Sequence, residues 1–430
     1  MGAAVLILVV SFVILLLMDV PVAYCLGMAT LLTMLVAVDF VPAASTTAQR
    51  IATGLDSFTL LAIPFFILAG NLMGKGGIAR RLIAFARALI GALPGGLALV
   101  NIIACMLFGA ISGSGIAAAA AIGTVMHPKM VDGGYAPGFS TAVNVSSATT
   151  GLLIPPSNVL IVFSLASGTV SVAALFIAGY LPGILIGGLL MAVTAFVAHR
   201  KGYGKGEWVR LPEVFRAMMR ALPSLTLIVV VIGGIVAGIF TATEAAAIAV
   251  LYALVLVLLY REVNLAGLRE VLLNSVTTTA VVMLLIGTSL ALSWVLSFED
   301  IPQNIAGTLV ALSDNRIVVL LIINAILLMV GTFMDMTPAI LIFTPIFLPI
   351  VVGMGVDPLH FGILMVANLC IGLCTPPVGT VLFAGAGIAK VSVQDIIRPL
   401  APLYIAMLVA LLLITFIPDI TLVIPRIFGF

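Results

Sequence analysis

Two proline pairs, each inside a long apolar run, are the residues of this chain whose type and spacing point most directly to chemistry. Pro155-Pro156 and Pro376-Pro377 each remove two consecutive backbone N–H donors and disfavour helical geometry just before them. In hydrocarbon, an opened helix is tolerated only where it is buried in protein or lines a cavity. The freed carbonyls attract cations and the freed N–H groups attract anions. The pattern therefore predicts two broken membrane helices at a binding site.

The two proline pairs belong to a longer repeat. The octets that contain them begin at Gly151 and Gly372, an offset of 221 residues. The same offset carries every other proline of residues 128–172 onto a proline of residues 349–393. Composition alone does not account for such a match of helix breakers. It indicates two structural repeats, residues 1–205 and 221–430, joined by a cytoplasmic linker at 206–220.

Oxygen atoms near the two breaks form two candidate sodium sites. Residues 97–130 and 317–350 are each interrupted midway, so we interpret them as re-entrant hairpins that end near mid-membrane. A hairpin tip and a broken helix together offer carbonyl, hydroxyl and carboxylate oxygens, which suit Na⁺ better than a transition metal. Site one comprises Ser112, Ser114, Gly151, Ile154 and Pro156; site two comprises Thr332, Asp335, Thr337, Gly372, Thr375 and Pro377.

Each of these assignments has an alternative. The serines of the first tip would also serve to cap the hairpin or to let helices pack closely. Asp335 is a costly carboxylate inside the membrane and is by default functional, with a cation or a proton as its partner, but it could simply cap the second hairpin. Glu244 comes just after the end of a span, and we interpret it as a helix cap.

An anionic substrate is expected between the two hairpin tips. Each restarted helix presents N–H groups in its first turn, and such groups hold carboxylates. The motifs contain no arginine, so the sequence shows no bidentate clamp. The candidate substrate-binding residues are Ser157, Asn158, Val378, Gly379 and Thr380.

Composition sets the class of protein. The chain is 63% hydrophobic and 8% charged, which is typical of an all-α polytopic membrane protein. A membrane enzyme would need clustered His, Asp or Glu at one depth, and the three histidines are widely separated, so we expect no enzyme. A purely structural assembly subunit would not need mirrored helix breaks.

Hydropathy and charge give a topology. Apolar stretches long enough to cross a bilayer lie at 3–18, 21–40, 57–74, 173–198, 222–241, 243–260, 272–297 and 401–422, and the broken segments 136–168 and 358–389 add two. Basic clusters after residues 74 and 199 are expected to be cytoplasmic, which leaves both termini periplasmic. Each repeat then has five spans plus one hairpin, so the two repeats have inverted topology. Segments 75–92 and 299–315 are expected to be interfacial arm helices that brace a moving domain, or else ordinary loop helices.

Five motifs together resemble the large membrane subunit of tripartite ATP-independent periplasmic (TRAP) transporters. They are the two proline octets, Ser112-Gly-Ser-Gly115, Asn144-Val-Ser-Ser147 and Thr243-Glu-Ala-Ala-Ala247. The resemblance covers essentially the whole chain. It implies an elevator-type secondary transporter of the bacterial inner membrane, with scaffold and transport domains, driven by a sodium gradient with two coupled Na⁺ ions. It also implies that the residues of sites one and two bind those ions.

The resemblance also implies two partners. One is a small four-span membrane subunit, and the other is a soluble periplasmic binding protein that delivers organic acids such as sialic acid or C4-dicarboxylates. The alternative is a sodium/dicarboxylate symporter of the divalent-anion type, which shares hairpins and broken helices but needs no binding protein.

Overall fold

The computed structural model describes residues 2–203, 211–313 and 315–430, and within these ranges the chain is helical, as the composition predicts. The first half contains α1 (Gly2–Leu17), α2 (Val22–Met34), α3 (Phe40–Leu55), a short 3-10 helix (Phe58–Leu61), α4 (Ala62–Lys75), α5 (Ile78–Ile90), α6 (Gly96–Ser112), α7 (Gly115–Asp132), α8 (Pro137–Thr150), α9 (Asn158–Ser167) and α10 (Val172–Arg200). The second half contains α11 (Leu211–Val236), α12 (Ala242–Tyr260), α13 (Leu265–Phe298), α14 (Ile301–Leu312), α15 (Arg316–Phe333), α16 (Met336–Gly353), α17 (Pro358–Gly372), α18 (Thr380–Ala389), α19 (Val393–Phe416) and α20 (Asp419–Ile427).

The helices of the two halves match in order and length. Shifting α7 by 221 residues gives 336–353, which are the bounds of α16. The same shift brings α6 within one residue of the bounds of α15, and α8 and α9 within one residue of α17 and α18. The exception lies near the start of each half, where α13 is one helix of 34 residues in place of α3 and α4. Inverted orientation of the halves stays a prediction.

Both predicted helix breaks are present. The chain leaves helical geometry between α8 and α9 and again between α17 and α18, and both Pro–Pro peptide bonds are cis. The breaks follow from the missing N–H groups, because neither proline of a pair can donate to the helix ladder.

Eight helices among the described residues are long and apolar enough to cross a membrane. They are Phe58–Lys75, Val172–Arg200, Pro212–Val236, Ala242–Tyr260, Leu265–Phe298, Arg316–Phe333, Met336–Gly353 and Val393–Phe416. Two of the eight, α15 and α16, are the arms of the second predicted hairpin. That the hairpins stop near mid-membrane stays a prediction.

Three segments differ from the sequence prediction. The span expected at 21–40 ends at Met34, and Asp39 starts a separate helix, α3. This helix was missed because Ser45, Thr46, Thr47, Gln49 and Arg50 make one of its faces too polar for a span. The span expected at 401–422 begins earlier, at Val393, and ends at Phe416, because the chain turns at Pro418 and starts α20.

The linker prediction was also partly wrong. Residues 206–210 lie outside the described ranges, but residues 211–220 form the first turns of α11. Pro212 stands in the opening turn of this helix, where its missing N–H is not needed. The helix therefore continues beyond the apolar segment into its charged flank.

The helices pack as two groups with two short helices between them. One group contains α1 to α4 with α11 to α13, and the other contains the hairpins, the broken helices, α10, α19 and α20. The predicted arm segments form α5, which packs against α6 and α11, and α14, which packs against α16 and α13. Each arm helix therefore contacts both groups, although its position at a membrane interface stays a prediction.

Ion pairs fasten the corner before α5 to the second half of the chain. Lys75 pairs with Glu270, while Arg80 and Arg81 pair with Glu262 at 2.6 and 2.9 Å. The basic segment 75–81 and the loop after α12 therefore lie at the same end of the molecule, as the predicted topology requires. Glu244 forms a capping box with Thr241 at the start of α12, which confirms its interpretation as a cap.

Close glycine contacts seat each hairpin on its broken helix. A Cβ atom built on Gly109 of α6 would lie 2.7 Å from Cα of Gly151. In the second half, a Cβ atom on Gly372 would lie 2.6 Å from Cα of Gly331 in α15. Because the opposing atoms are backbone, neither contact can relax by rotation of a side chain.

We predict that Gly109→Ala lowers the thermal stability of the detergent-solubilised protein. The added methyl group meets backbone, and overpacking of this kind costs about 1–3 kcal/mol. The matched control is Gly188→Ala in α10, where a built Cβ meets nothing within 4 Å. Alanine is the better helix former by up to about 1 kcal/mol, so the control should melt at or above the wild-type temperature. Equal melting temperatures for the two variants would contradict the close contact.

Candidate binding site at the two broken helices

The first hairpin tip is a tight turn between α6 and α7. Gly113 adopts a left-handed conformation with φ of 62°, which residues with a Cβ rarely adopt. The hydroxyl of Ser114 accepts a hydrogen bond from the Ala117 N–H at 3.2 Å, and that of Ser112 donates to the Ser114 carbonyl at 3.4 Å. The capping role considered for these serines is therefore present for Ser114, and its hydroxyl retains a lone pair for a cation.

The first tip meets the first broken helix. A Cβ atom on Gly113 would lie 2.8 Å from Nδ2 of Asn158, the first residue of α9. Ile111 and Pro156 line one narrow cavity together with apolar side chains of α4, α11 and α12. Sequence-distant members of site one, Ser112 and Pro156, are thereby brought to one place beside the first group of helices.

The opened backbone of the first break offers free oxygen atoms. The Gly151 carbonyl accepts the Ile154 N–H at 3.2 Å, whereas the carbonyls of Ile154 and Pro156 accept no hydrogen bond from the described residues. Ser157 is fully buried and its hydroxyl donates to the Leu152 carbonyl. Oδ1 of Asn158 is buried without a partner among the described residues. Of the two predicted substrate residues here, Asn158 is thus the one with unused polar capacity.

The second hairpin tip carries the only charge in either candidate ion site. Asp335 is the N-cap residue of α16, is exposed, and accepts no capping hydrogen bond through its side chain. The Thr332 hydroxyl donates to the Met329 carbonyl at 2.7 Å, and Thr337 lies half-buried in the first turn of α16. Since a simple cap would use the carboxylate for the helix N–H groups, the geometry does not favour that alternative for Asp335.

The second break repeats the hydrogen bonding of the first. The Gly372 carbonyl accepts the Thr375 N–H at 2.9 Å, and the carbonyls of Thr375 and Pro377 accept no hydrogen bond from the described part of the chain. The Gly379 N–H donates to the Thr332 carbonyl at 2.9 Å, which joins this break to the second tip. The Gly379 N–H is therefore already engaged, and the predicted substrate role falls more on its neighbours. Val378 is partly exposed, and Oγ1 of Thr380 is buried without a partner among the described residues.

The two half-sites adjoin each other. A Cβ atom on Gly115 of the first hairpin would lie 3.1 Å from Cγ2 of Val381 in α18. The second arm of the other hairpin, α16, packs on α9. The thiol of Cys374 lies at hydrogen-bonding distance from the Thr149 hydroxyl, so the last turns before both breaks are in contact. Each hairpin thus contacts the broken helix of its own half and the restarted helix of the other.

The donor set suits a hard monovalent cation. Free carbonyl oxygens at both breaks, hydroxyls at both tips and one carboxylate are the available ligands, and Na⁺ prefers oxygen. No group of three His, Cys, Asp or Glu side chains lies together in the described ranges. The residues named for sites one and two therefore fit Na⁺ and would not hold zinc or copper.

Sequence reasoning missed a buried polar pairing that holds each hairpin to its helix. Asn368 of α17 donates to Oδ1 of Asn324 at 2.9 Å, and Asn324 donates to the Thr415 hydroxyl at 3.0 Å. In the first half, Asn101 donates to the Ser147 hydroxyl at 3.2 Å. Ser147 and Asn368 are 221 residues apart, so the repeat offset would have found this pair.

A membrane chain in which two hairpins each face an interrupted helix has the architecture of a secondary transporter. The family model described as "Tripartite ATP-independent periplasmic transporter, DctM component" matches residues 9–420. The chain belongs to this family, and it is therefore a multi-pass membrane permease and not an enzyme.

Individual relatives agree with that assignment. The chain is 54% identical to the uncharacterized protein YgiK of Salmonella typhimurium, over 97% of this chain and 96% of that one. It is 40% identical to the C4-dicarboxylate TRAP transporter large permease protein DctM of Rhodobacter capsulatus, over 96% and 97% of the two chains. It is 42% identical to the isethionate TRAP transporter permease protein DctMQ of Oleidesulfovibrio alaskensis, over 95% of this chain and 64% of that one.

A solved structure shares the fold. The YdaH transporter of Alcanivorax borkumensis superposes with a TM-score of 0.64 over 89% of each chain, at 14% sequence identity. At this identity the likeness concerns the fold alone, and it supports the polytopic helical architecture.

We predict that the Asn324–Asn368 pair contributes to stability mainly through mutual satisfaction. Either single change to Leu leaves a buried partner unsatisfied and should cost about 1–3 kcal/mol. The double variant removes both polar groups and should therefore be destabilised by less than the sum of the two single variants. Denaturation in detergent measures all three. Additive losses would show that the two side chains do not interact.

Proposed function

We propose that this protein takes up a small organic acid by secondary transport driven by a sodium gradient, with a periplasmic binding protein delivering the acid. The observation that carries the proposal is the pair of Pro-Pro helix breaks, each faced by a hairpin tip and each with free carbonyl oxygens. Family membership supports the tripartite arrangement, because the matched family is defined by it.

The relatives favour a small acid as substrate. Two of them are named for C4-dicarboxylate and for isethionate, both compact organic anions. The starts of α9 and α18 offer neutral polar groups, including Oδ1 of Asn158 and Oγ1 of Thr380, and no arginine. A compact anion held by N–H and hydroxyl donors suits that lining. C4-dicarboxylates are therefore our first candidate and sialic acid our second.

The proposed partners follow from the family. A separate small four-span subunit is supported by the relative named DctMQ, whose name joins two components and of which this chain covers only 64%. A soluble binding protein would present the acid at the periplasmic side, where the predicted topology places both termini.

Two ion sites would couple the gradient to movement. In the first, the oxygens of Ser112, Ser114, Gly151, Ile154 and Pro156 would hold one Na⁺; in the second, those of Thr332, Asp335, Thr337, Gly372, Thr375 and Pro377 would hold another. Bound Na⁺ would supply positive charge that offsets the free carbonyls and the Asp335 carboxylate. An uncompensated carboxylate is costly to carry across hydrocarbon, so the loaded form crosses more readily than a partly loaded one.

The moving part would be the group that contains both hairpins and both broken helices. Contacts within this group include the two glycine pairs and the Thr332–Gly379 hydrogen bond, which favour movement as one body. The other group, α1 to α4 with α11 to α13, would be the fixed scaffold. Helices α5 and α14 contact both groups and would guide the displacement of an elevator.

We predict that Asp335→Asn lowers the initial rate of Na⁺-driven uptake by about ten-fold or more, because a charged ligand of the second ion is replaced by a neutral one. Uptake in proteoliposomes, titrated with external Na⁺, measures the effect. The matched control is Asp419→Asn, an exposed carboxylate in α20 that pairs with Arg426. The control should keep wild-type uptake. An unchanged Na⁺ dependence in Asp335→Asn would remove the second site from the mechanism.

We predict that uptake requires every component. Proteoliposomes that contain this chain and the small subunit should accumulate succinate only with an inward Na⁺ gradient and only when the binding protein is added. Sialic acid and isethionate serve as alternative cargoes in parallel samples. Accumulation without the binding protein would instead support a symporter of the divalent-anion type.

A further inference from the structure

A basic groove lies away from the two broken helices, where α5 meets α11 and the end of α12. Its volume is about 460 Å³. The polar groups that line it are Arg80, Arg81, Arg220, Tyr260 and Glu262, and the remaining wall is formed by small or apolar residues. Neither the ion sites nor the substrate path uses this groove.

The charges of the groove do not cancel. Arg80 and Arg81 share the single carboxylate of Glu262, at 2.6 and 2.9 Å. Arg220 is exposed and forms no ion pair or hydrogen bond with the described residues. Three guanidinium groups therefore face one acidic side chain. The excess positive charge indicates an anionic ligand.

The donors of the groove suit a phosphate group. The guanidinium of Arg81 lies 3.6 Å from the ring centroid of Tyr260, which fixes its plane. The hydroxyl of Tyr260 is buried and has no hydrogen-bond partner among the described residues. Guanidinium groups bind phosphate oxygens through paired N–H donors, and a phenol adds another donor.

The surroundings favour a phosphate that carries acyl chains. Helix α11 exposes large apolar side chains around Arg220, among them Phe215, Met219 and Leu222. From this end α11 continues as one of the helices long and apolar enough to cross a membrane. Basic residues at the end of such a helix lie at the depth of lipid headgroups. A soluble anion would use the arginines but leave the apolar flank exposed.

We propose that this groove binds the phosphodiester headgroup of an anionic glycerophospholipid. Its acyl chains would lie along the exposed face of α11, and its headgroup would bridge the arm helix α5 to α11 and α12. Because α5 also contacts the first hairpin, the bound lipid would stabilise the contact between the arm and the scaffold helices.

The test uses the purified full-length chain in a neutral detergent, with dioleoylphosphatidylglycerol as the probe. We expect native mass spectrometry to show retained phosphatidylglycerol, and the melting temperature to rise more with this lipid than with dioleoylphosphatidylcholine. Arg220→Gln should weaken the binding of phosphatidylglycerol about five-fold, because a surface arginine contributes about one kcal/mol to anionic lipid binding. Millimolar inorganic phosphate should give no comparable rise.

The matched control is Arg426→Gln, which removes an exposed arginine outside the groove and should bind phosphatidylglycerol like the wild type. Equal binding by Arg220→Gln and the control overturns the proposal. A rise in melting temperature with inorganic phosphate as large as that with the lipid overturns the lipid source. Retention of phosphatidylcholine equal to that of phosphatidylglycerol overturns the role of charge. None of these readouts depends on transport, so a failure here is distinct from a failure of the proposed function.

Discussion

The need to satisfy or shelter backbone polar groups in an apolar environment is the constraint on which this structure depends. Most of the chain meets it with continuous helix. At the two Pro-Pro pairs it cannot, because two adjacent residues lack N–H donors and the carbonyls of residues such as Ile154 and Thr375 stay unpaired. Everything that surrounds these breaks, including hairpins, glycine contacts and engaged serines, lies where it can cover bare backbone while leaving some oxygens available.

Glycine makes that cover tight. Gly109 against Gly151, and Gly331 against Gly372, bring backbone to backbone at distances that no side chain would allow. Each hairpin therefore rests directly on the last turn before its break. The Asn324–Asn368 and Asn101–Ser147 hydrogen bonds fix the same helix pairs farther along. Dense packing of this kind deforms little, which suits a unit that moves as one body in the proposed mechanism.

Much of this could be predicted from helix breakers alone. Prolines and glycines act locally, so the 221-residue offset anticipated the bounds of α16 from the interruption in the first hairpin. What it could not give depends on tertiary context. Helix α3 carries too many hydroxyls to be recognised by hydropathy, and the extension of α11 to Leu211 crosses from an apolar to a charged sequence. The Gly379 N–H was expected to be free, but its bond to Thr332 requires knowledge of how the second tip sits on the break.

The two halves match in backbone but not in charge, and this difference has a consequence for coupling. At the repeat offset, Ser114 of the first tip corresponds to Asp335 of the second. A cation at the first tip meets only neutral oxygens, so an empty first site leaves dipoles exposed but no net charge. An empty second site leaves a carboxylate, whose transfer through hydrocarbon is far more costly. Under the proposed function, occupancy of the second site therefore controls whether the unit can cross, while the first site adjusts affinity.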